Sequence, residues 1–178
     1  FEFIGGNCLT SEPTILDISE EDGFVAAYEK AEEGETKILI SSILANALIE
    51  KADKDGGDRG VLDTCRLILL DEYRLIEESN ETTYIHETDL AWLNFMIANR
   101  QMKKAELFAD SLNTLYMSDT ESYGKYLASL YDLYSKMHTI SNRPGKALEY
   151  NNRARYWQLK MRSNTYAAAA TQSIAQAQ

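Results

Sequence analysis

The sequence predicts an all-α fold, and three observations lead to this prediction. Apolar residues recur every three or four positions along most of the chain, which is the spacing of one face of an α-helix. No stretch alternates apolar and polar residues for long enough to indicate a β-strand. Only 2 prolines occur among 178 residues, so long uninterrupted helices are compatible with the sequence.

Residues 1–35 are predicted to form an extended arm followed by a short helix. Ser19 and Asp22 have the spacing of a capping box, in which side chains satisfy the first backbone N–H groups of a helix. Apolar residues at helical intervals come next, and Gly34 is expected to end the helix. Because the chain begins with Phe1, we expect it to have been processed or cut from a longer chain.

Six longer helices are predicted between residues 36 and 162, and they alternate with polar turns. The first is expected to stop at Gly56-Gly57, and the second to run from about Gly60 to Ser79. Asp119, after Ser118, is expected to cap the fifth. The short turns make neighbouring helices antiparallel, so the six form three pairs.

Two of the turns resemble each other, which indicates an internal repeat. The segment 99–105 is similar to the segment 142–147 with one residue deleted. Beyond the turns, apolar and small residues recur at a spacing of 42 residues, and a fainter copy starting at Val61 lies 44 residues before the middle one. A single helical hairpin cannot bury both of its faces, so stacked copies are expected to share a continuous core.

The last copy resembles the tetratricopeptide repeat family. Its segment from Tyr131 to His138 reads Tyr-x-x-Tyr-Ser-x-x-His where the family has Trp-x-x-Leu-Gly-x-x-Tyr, and Ala147 and Ala154 stand at the later small positions. The sequence departs from the family at Asn151, which replaces an aromatic residue, in a missing closing proline, and in a period longer than the usual 34.

This resemblance implies a fold and a binding surface. The fold is a right-handed superhelix of antiparallel helix pairs, an α-solenoid, over residues 36–162. In tetratricopeptide arrays the inner face of each first helix lines a groove for extended peptides or partner helices. Carried over by register, the groove residues are Asn94, Asp132, Lys136 and Thr139.

Tyrosines are a second source of candidate binding residues, since the chain has 11 of them. Three fall at core positions of the repeat, where packing explains them: Tyr131, Tyr134 and Tyr150. Three others are candidates for a binding surface: Tyr123, Tyr126 and Tyr156.

The segment 163–178 is rich in alanine and favours a helix with little to pack against. A helix of this kind is similar to the connecting helix of bacterial membrane-associated regulators and sensors, in which an extracytoplasmic repeat array leads to a membrane span and a cytoplasmic output domain. The resemblance implies a periplasmic or otherwise extracytoplasmic location. The alternative is a terminal cap on the last repeat, in a cytoplasmic protein.

Charge is distributed unevenly along the chain. The net charge of −10 combines −15 over residues 1–90 with +5 over residues 91–178, and it disfavours direct binding of nucleic acid. The basic surplus lies in the last long helix, and the surface predicted there consists of Arg153, Arg155, Lys160 and Arg162. It suits an acidic protein, anionic lipid headgroups or the acidic half of a second copy in a homodimer; a solvated face is the remaining alternative.

The sequence contains no recognisable catalytic or metal-binding motif. The acidic segment 53–58 lacks ligands that a calcium loop requires, and His86-Glu87 is not followed by the second histidine of a zinc helix. Both His138 and Cys65 are expected to be packed inside. No run of about 18 apolar residues occurs. We therefore expect no enzyme activity, cofactor, metal or membrane span.

The function predicted from these features is a non-enzymatic protein or peptide interaction module, the sensory or scaffolding part of a bacterial signalling or transcriptional regulator. One alternative is a cytoplasmic assembly scaffold or a receptor domain of the peptide-pheromone type. A second alternative is part of a glycan-uptake binding protein.

Overall fold

The computed structural model describes residues 21–32, 34–54 and 58–176, and these are helical apart from short turns. Within them there are seven α-helices and no strand, so the predicted all-α class is confirmed. The predicted arm, its capping residue Ser19 and the helix stop at Gly56-Gly57 lie outside the described residues.

The helices follow the predicted order closely. They are α1 (Glu21–Lys30), α2 (Glu35–Lys54), α3 (Arg59–Ser79), α4 (Ile85–Ala98), α5 (Met102–Ser118), α6 (Thr120–Ile140) and α7 (Pro144–Gln176), with a short 3₁₀ helix at Thr82–Tyr84. Proline suits the first position of α7, because its missing N–H would have no partner within the helix there. Helix α7 contains 33 residues without a break, so residues 163–176 prolong the last predicted long helix.

The chain divides into two compact units, residues 1–99 and residues 100–178. In the first unit, α2 packs against α1 and α3, and α4 packs against both α2 and α3. The core between α2, α3 and α4 is apolar and includes Leu44, Leu48, Ile49, Leu62, Cys65, Leu69, Ala91 and Phe95. Cys65 is completely buried, with its Sγ 3.6 Å from the Ala45 carbonyl oxygen, which confirms the interior position predicted for it.

The second unit is built around α6, which packs against both α5 and α7. Small residues lie at both ends of the contact between α6 and α7. At one end the Ser135 hydroxyl donates a hydrogen bond to the Ala147 carbonyl oxygen at 2.9 Å. At the other end, a Cβ added to Gly124 would lie 3.2 Å from Met161 Sδ. The small side chains leave room for these contacts, and Ala147 is buried as the repeat predicts.

The two turns that resemble each other share one backbone feature. Arg100 and Asn142 both adopt left-handed φ angles, 58° and 53° respectively, two residues after a helix ends and two before the next begins. The structure therefore matches Arg100 with Asn142, whereas the sequence comparison paired Asn99 with Asn142 and deleted one residue. The structural match gives a spacing of 42 residues, equal to that of the apolar positions, and it needs no deletion.

Candidate functional site

The four residues assigned to the predicted groove lie in different units. Asn94 belongs to α4 in the first unit, where it is half-buried and its Nδ2 donates to Asn46 Oδ1 at 3.3 Å. Asp132, Lys136 and Thr139 belong to α6 in the second unit.

On α6, the spacing of Asp132, Lys136 and Thr139 places them on one face of the helix. Gln158 of α7 donates to Asp132 Oδ2 at 3.3 Å, and the Thr139 hydroxyl donates to the Ser135 carbonyl oxygen at 2.9 Å. A peptide bound to this face would compete with Gln158 for Asp132. The Thr139 hydroxyl would have to give up its hydrogen bond within α6 before it could donate to the peptide.

A surface cleft of about 640 Å³ opens in the second unit, and none of the predicted groove residues lines it. It is lined by residues from all three helices of the unit: Met117 of α5, Tyr131 of α6, and Glu149, Asn152, Arg153, Tyr156 and Trp157 of α7.

The cleft has a buried aromatic floor and an exposed apolar rim. Tyr131 and Trp157 are buried, and the Tyr131 hydroxyl donates to Asn113 Oδ1 at 2.9 Å, which fixes its ring. On the rim, Tyr156 is 58% exposed and Met117 is 48% exposed. The Tyr156 ring stands edge-on to Trp157, with ring centroids 5.6 Å apart. Aromatic side chains so presented offer contact area at little cost in conformational entropy.

Cations border these rings. The Arg153 guanidinium lies 5.2 Å from the Tyr150 ring and 5.9 Å from the Tyr131 ring, and it pairs with Glu149 Oε1 at 2.6 Å. Burial raises the pKa of Tyr131, whereas the nearby Arg153 charge acts to lower it. The Lys160 Nζ lies 4.4 Å from the Trp157 ring. Both cations are therefore held over aromatic faces, an attractive arrangement.

The predicted basic surface is divided between two faces of α7. Arg153 lines the cleft, and Lys160, seven positions later, lies beside the cleft against the ring of Trp157. Arg155 and Arg162 each follow one of them by two positions, which in an α-helix is a rotation of about 200°. All four side chains are exposed. The four basic residues predicted to form one surface therefore form two pairs on different faces of α7.

The tyrosine predictions have mixed outcomes. Tyr156 is exposed, as a candidate surface residue should be, but the prediction for Tyr126 is wrong because this side chain is buried, 7% exposed, against Tyr116. Tyr131 and Tyr134 are buried as predicted. Packing also accounts for His138, which is buried and stacks on Tyr134, and whose pKa is lowered by burial.

The first unit contains a buried carboxyl group that was not predicted from the sequence. Glu72 of α3 is completely buried, and its Oε1 accepts hydrogen bonds from Ser42 of α2 and from Thr88 Oγ1 of α4, the latter at 2.7 Å. Its Oε2 has no hydrogen-bond partner among the described residues. Burial raises the pKa of Glu72 to about 7, although the two hydroxyl donors oppose this. One indication of this burial is present in the sequence: the spacing of Glu72 from Cys65 and Ile76 places it on the same, otherwise apolar, face of α3.

Across the described part of the chain, no group of three or more His, Cys, Asp or Glu side chains is arranged to hold a metal ion. Nor is any described helix both long enough and apolar enough to cross a membrane. Comparison with family models, with curated proteins and with solved structures gave no match for this chain.

Proposed function

We propose that this chain is a non-enzymatic helical interaction module that binds a segment of a partner protein in the cleft of the second unit. The observation that carries the proposal is the exposed rim of Tyr156 and Met117 over the buried rings of Tyr131 and Trp157. Concave sites that combine apolar and aromatic surface with a few polar groups are the usual form of a binding site. Exposed aromatic residues are also enriched among those that dominate protein interfaces.

The composition of the cleft supports binding rather than catalysis. Its polar side chains are Glu149, Asn152 and Arg153, together with the hydroxyls of Tyr131 and Tyr156. Neither histidine nor a cysteine or serine nucleophile lines it, so it lacks the pairing of nucleophile and base on which acyl transfer depends.

We further propose that the helix pairs form a right-handed superhelix of the tetratricopeptide type, and that the module is the sensory or scaffolding part of a bacterial regulator. The 42-residue match between the two turns supports the repeat. The length of α7 supports a regulatory role, because the cleft residues that α7 contributes and residues 163–176 belong to one unbroken helix. A ligand that displaces α7 at the cleft therefore displaces its far end as well.

The test is a selection of displayed random 12-residue peptides on the immobilised chain, followed by affinity measurements on the enriched peptides. We expect Tyr156→Ala to weaken their binding at least tenfold, because the truncation removes the exposed aromatic rim. Leu148→Ala is the matched control, since Leu148 is an exposed apolar residue of α7 that does not line the cleft. Failure to enrich any peptide, or equal binding to the Tyr156→Ala variant, would refute the proposal.

A further inference from the structure

We infer that the segment bound in the cleft is acidic, with carboxylates flanking one aromatic or aliphatic anchor residue. This inference rests on the proposed function and adds the chemistry of the partner to it. It follows from where the cations of α7 lie relative to the exposed ring of Tyr156.

Arg153 lies three residues before Tyr156 and Lys160 lies four residues after it. Residues at these spacings share one face of a helix, so Tyr156 stands between two cations, each about one turn away. An anchor side chain packed against Tyr156 and Met117 brings the neighbouring residues of its own segment towards these cations. Carboxylates at those positions would gain ion pairs, whereas basic side chains would meet like charge.

Glu149 is the acidic residue that lines the cleft, and it does not neutralise the site for a ligand. It already pairs with Arg153, and both side chains are about half exposed in water. A guanidinium carries five N–H donors, and the bond to Glu149 Oε1 uses one of them. A ligand carboxylate therefore approaches Arg153 beside Glu149 or in its place, and Lys160 remains as the second cation.

The charge of the second unit agrees with this local arrangement. Residues 100–178 contain 11 basic and 6 acidic residues, a net +5, whereas residues 1–99 contain 7 and 22, a net −15. The boundary between the two compact units thus also separates the net-negative part of the sequence from the net-positive part. At physiological salt, exposed charges are screened beyond about 8 Å, so the cations beside the cleft act on a bound segment more strongly than the total charge of the chain.

The experiment measures the binding of three labelled 12-residue peptides to the full chain by fluorescence anisotropy. The first peptide carries a central tryptophan with glutamates three and four positions away on either side. In the second the glutamates are replaced by glutamine, and in the third the tryptophan is replaced by serine. We expect the first to bind about tenfold more tightly than either of the others, and its advantage over the glutamine peptide to shrink at 0.5 M NaCl.

Two double variants with the same change in net charge locate the effect. Arg153→Gln with Lys160→Gln removes the cations that border the cleft, and we expect it to weaken binding of the acidic peptide about tenfold while leaving the glutamine peptide unchanged. Arg155→Gln with Arg162→Gln removes two exposed cations from the other face of α7, and we expect binding within twofold of the wild type. Arg153→Lys with Lys160→Arg should retain acidic-peptide binding, and thermal melts verify that each variant is folded.

The outcomes separate this inference from the proposed function. Equal binding of the acidic and glutamine peptides would overturn the inference while the cleft remained a peptide site. Absence of binding by all peptides, including any enriched from the random library, would overturn both. An equal loss in the two double variants would overturn the inference, because the effect would then come from the total charge of the helix. Two other outcomes would also overturn the inference: binding to phosphatidylglycerol vesicles, or salt-sensitive self-association in ultracentrifugation, that depends on Arg153 and Lys160 while binding of the acidic peptide does not.

Discussion

Glu72 makes the stability of the first unit depend on pH in a direction opposite to that of most carboxyl groups. Burial raises the pKa of Glu72 from its ordinary value of 4.5 to about 7, so the folded state holds the proton more tightly than the unfolded state. Protonated Glu72 contributes its full stability below about pH 4.5, and this contribution is lost as the pH rises to about 7. At 1.36 kcal/mol per pKa unit, the loss amounts to about 3 kcal/mol.

The perturbation that tests this is Glu72→Gln, which keeps the shape of the side chain and removes the titration. Between pH 5 and pH 8, we expect the free energy of unfolding of the wild type to fall by about 2–3 kcal/mol relative to the variant. Glu77→Gln is the matched control, because Glu77 is an exposed glutamate of the same helix.

The assay is urea unfolding followed by tryptophan fluorescence in a Trp157→Phe background. The chain has 2 tryptophans, and Trp92, which remains, packs against the core of the first unit, so the signal reports that unit. A difference between wild type and Glu72→Gln that stays constant from pH 5 to pH 8 would refute the reasoning. It would show that Glu72 titrates at the same pH in the folded and unfolded states.

Two further predictions concern helix packing and capping. Ala147→Leu should destabilise the second unit by about 1–3 kcal/mol, because Ala147 is buried and the added carbons meet α6. At this point the Ser135 hydroxyl contacts the Ala147 carbonyl oxygen. An unchanged melting temperature would contradict this packing. Asp58→Ala should cost about 1 kcal/mol, because Asp58 Oδ1 accepts hydrogen bonds from the N–H groups of Gly60 and Val61 at the start of α3. Asp63→Ala, an exposed change in the same helix, is the control, and urea unfolding at pH 7 should show a loss in Asp58→Ala alone.

The sequence could predict the helices because the information for each is local. Apolar spacing marks the faces, and polar turns mark the ends. The N-cap predicted at Asp119 is confirmed, since its Oδ1 accepts hydrogen bonds from the N–H groups of Glu121 and Ser122. The spacing of Ala147 from the equivalent small residue of the preceding repeat predicted its burial for the same reason.

The cleft and the buried carboxyl group could not be predicted in this way. Met117, Tyr131 and Tyr156 come from three helices, and only tertiary packing decides which of their faces meet. Glu72 lies on a core stripe, but its partners, Ser42 and Thr88, are 30 and 16 residues away. A buried carboxyl group depends on such partners, because hydrogen bonds offset part of the cost of removing it from water. Sequence spacing within one helix does not identify them.

The packing of the second unit and the proposed binding depend on different faces of α7, so mutations can separate them. The face towards α6 has small residues, Ala147 and Ala154, which leave room for the contact between the two helices, and changes in their size disturb the packing of the unit. The adjoining face carries Arg153, Tyr156 and Lys160, whose side chains are exposed and whose truncation leaves no internal cavity. Loss of peptide binding in these exposed variants, with an unchanged melting temperature, therefore reports on the cleft itself rather than on the fold.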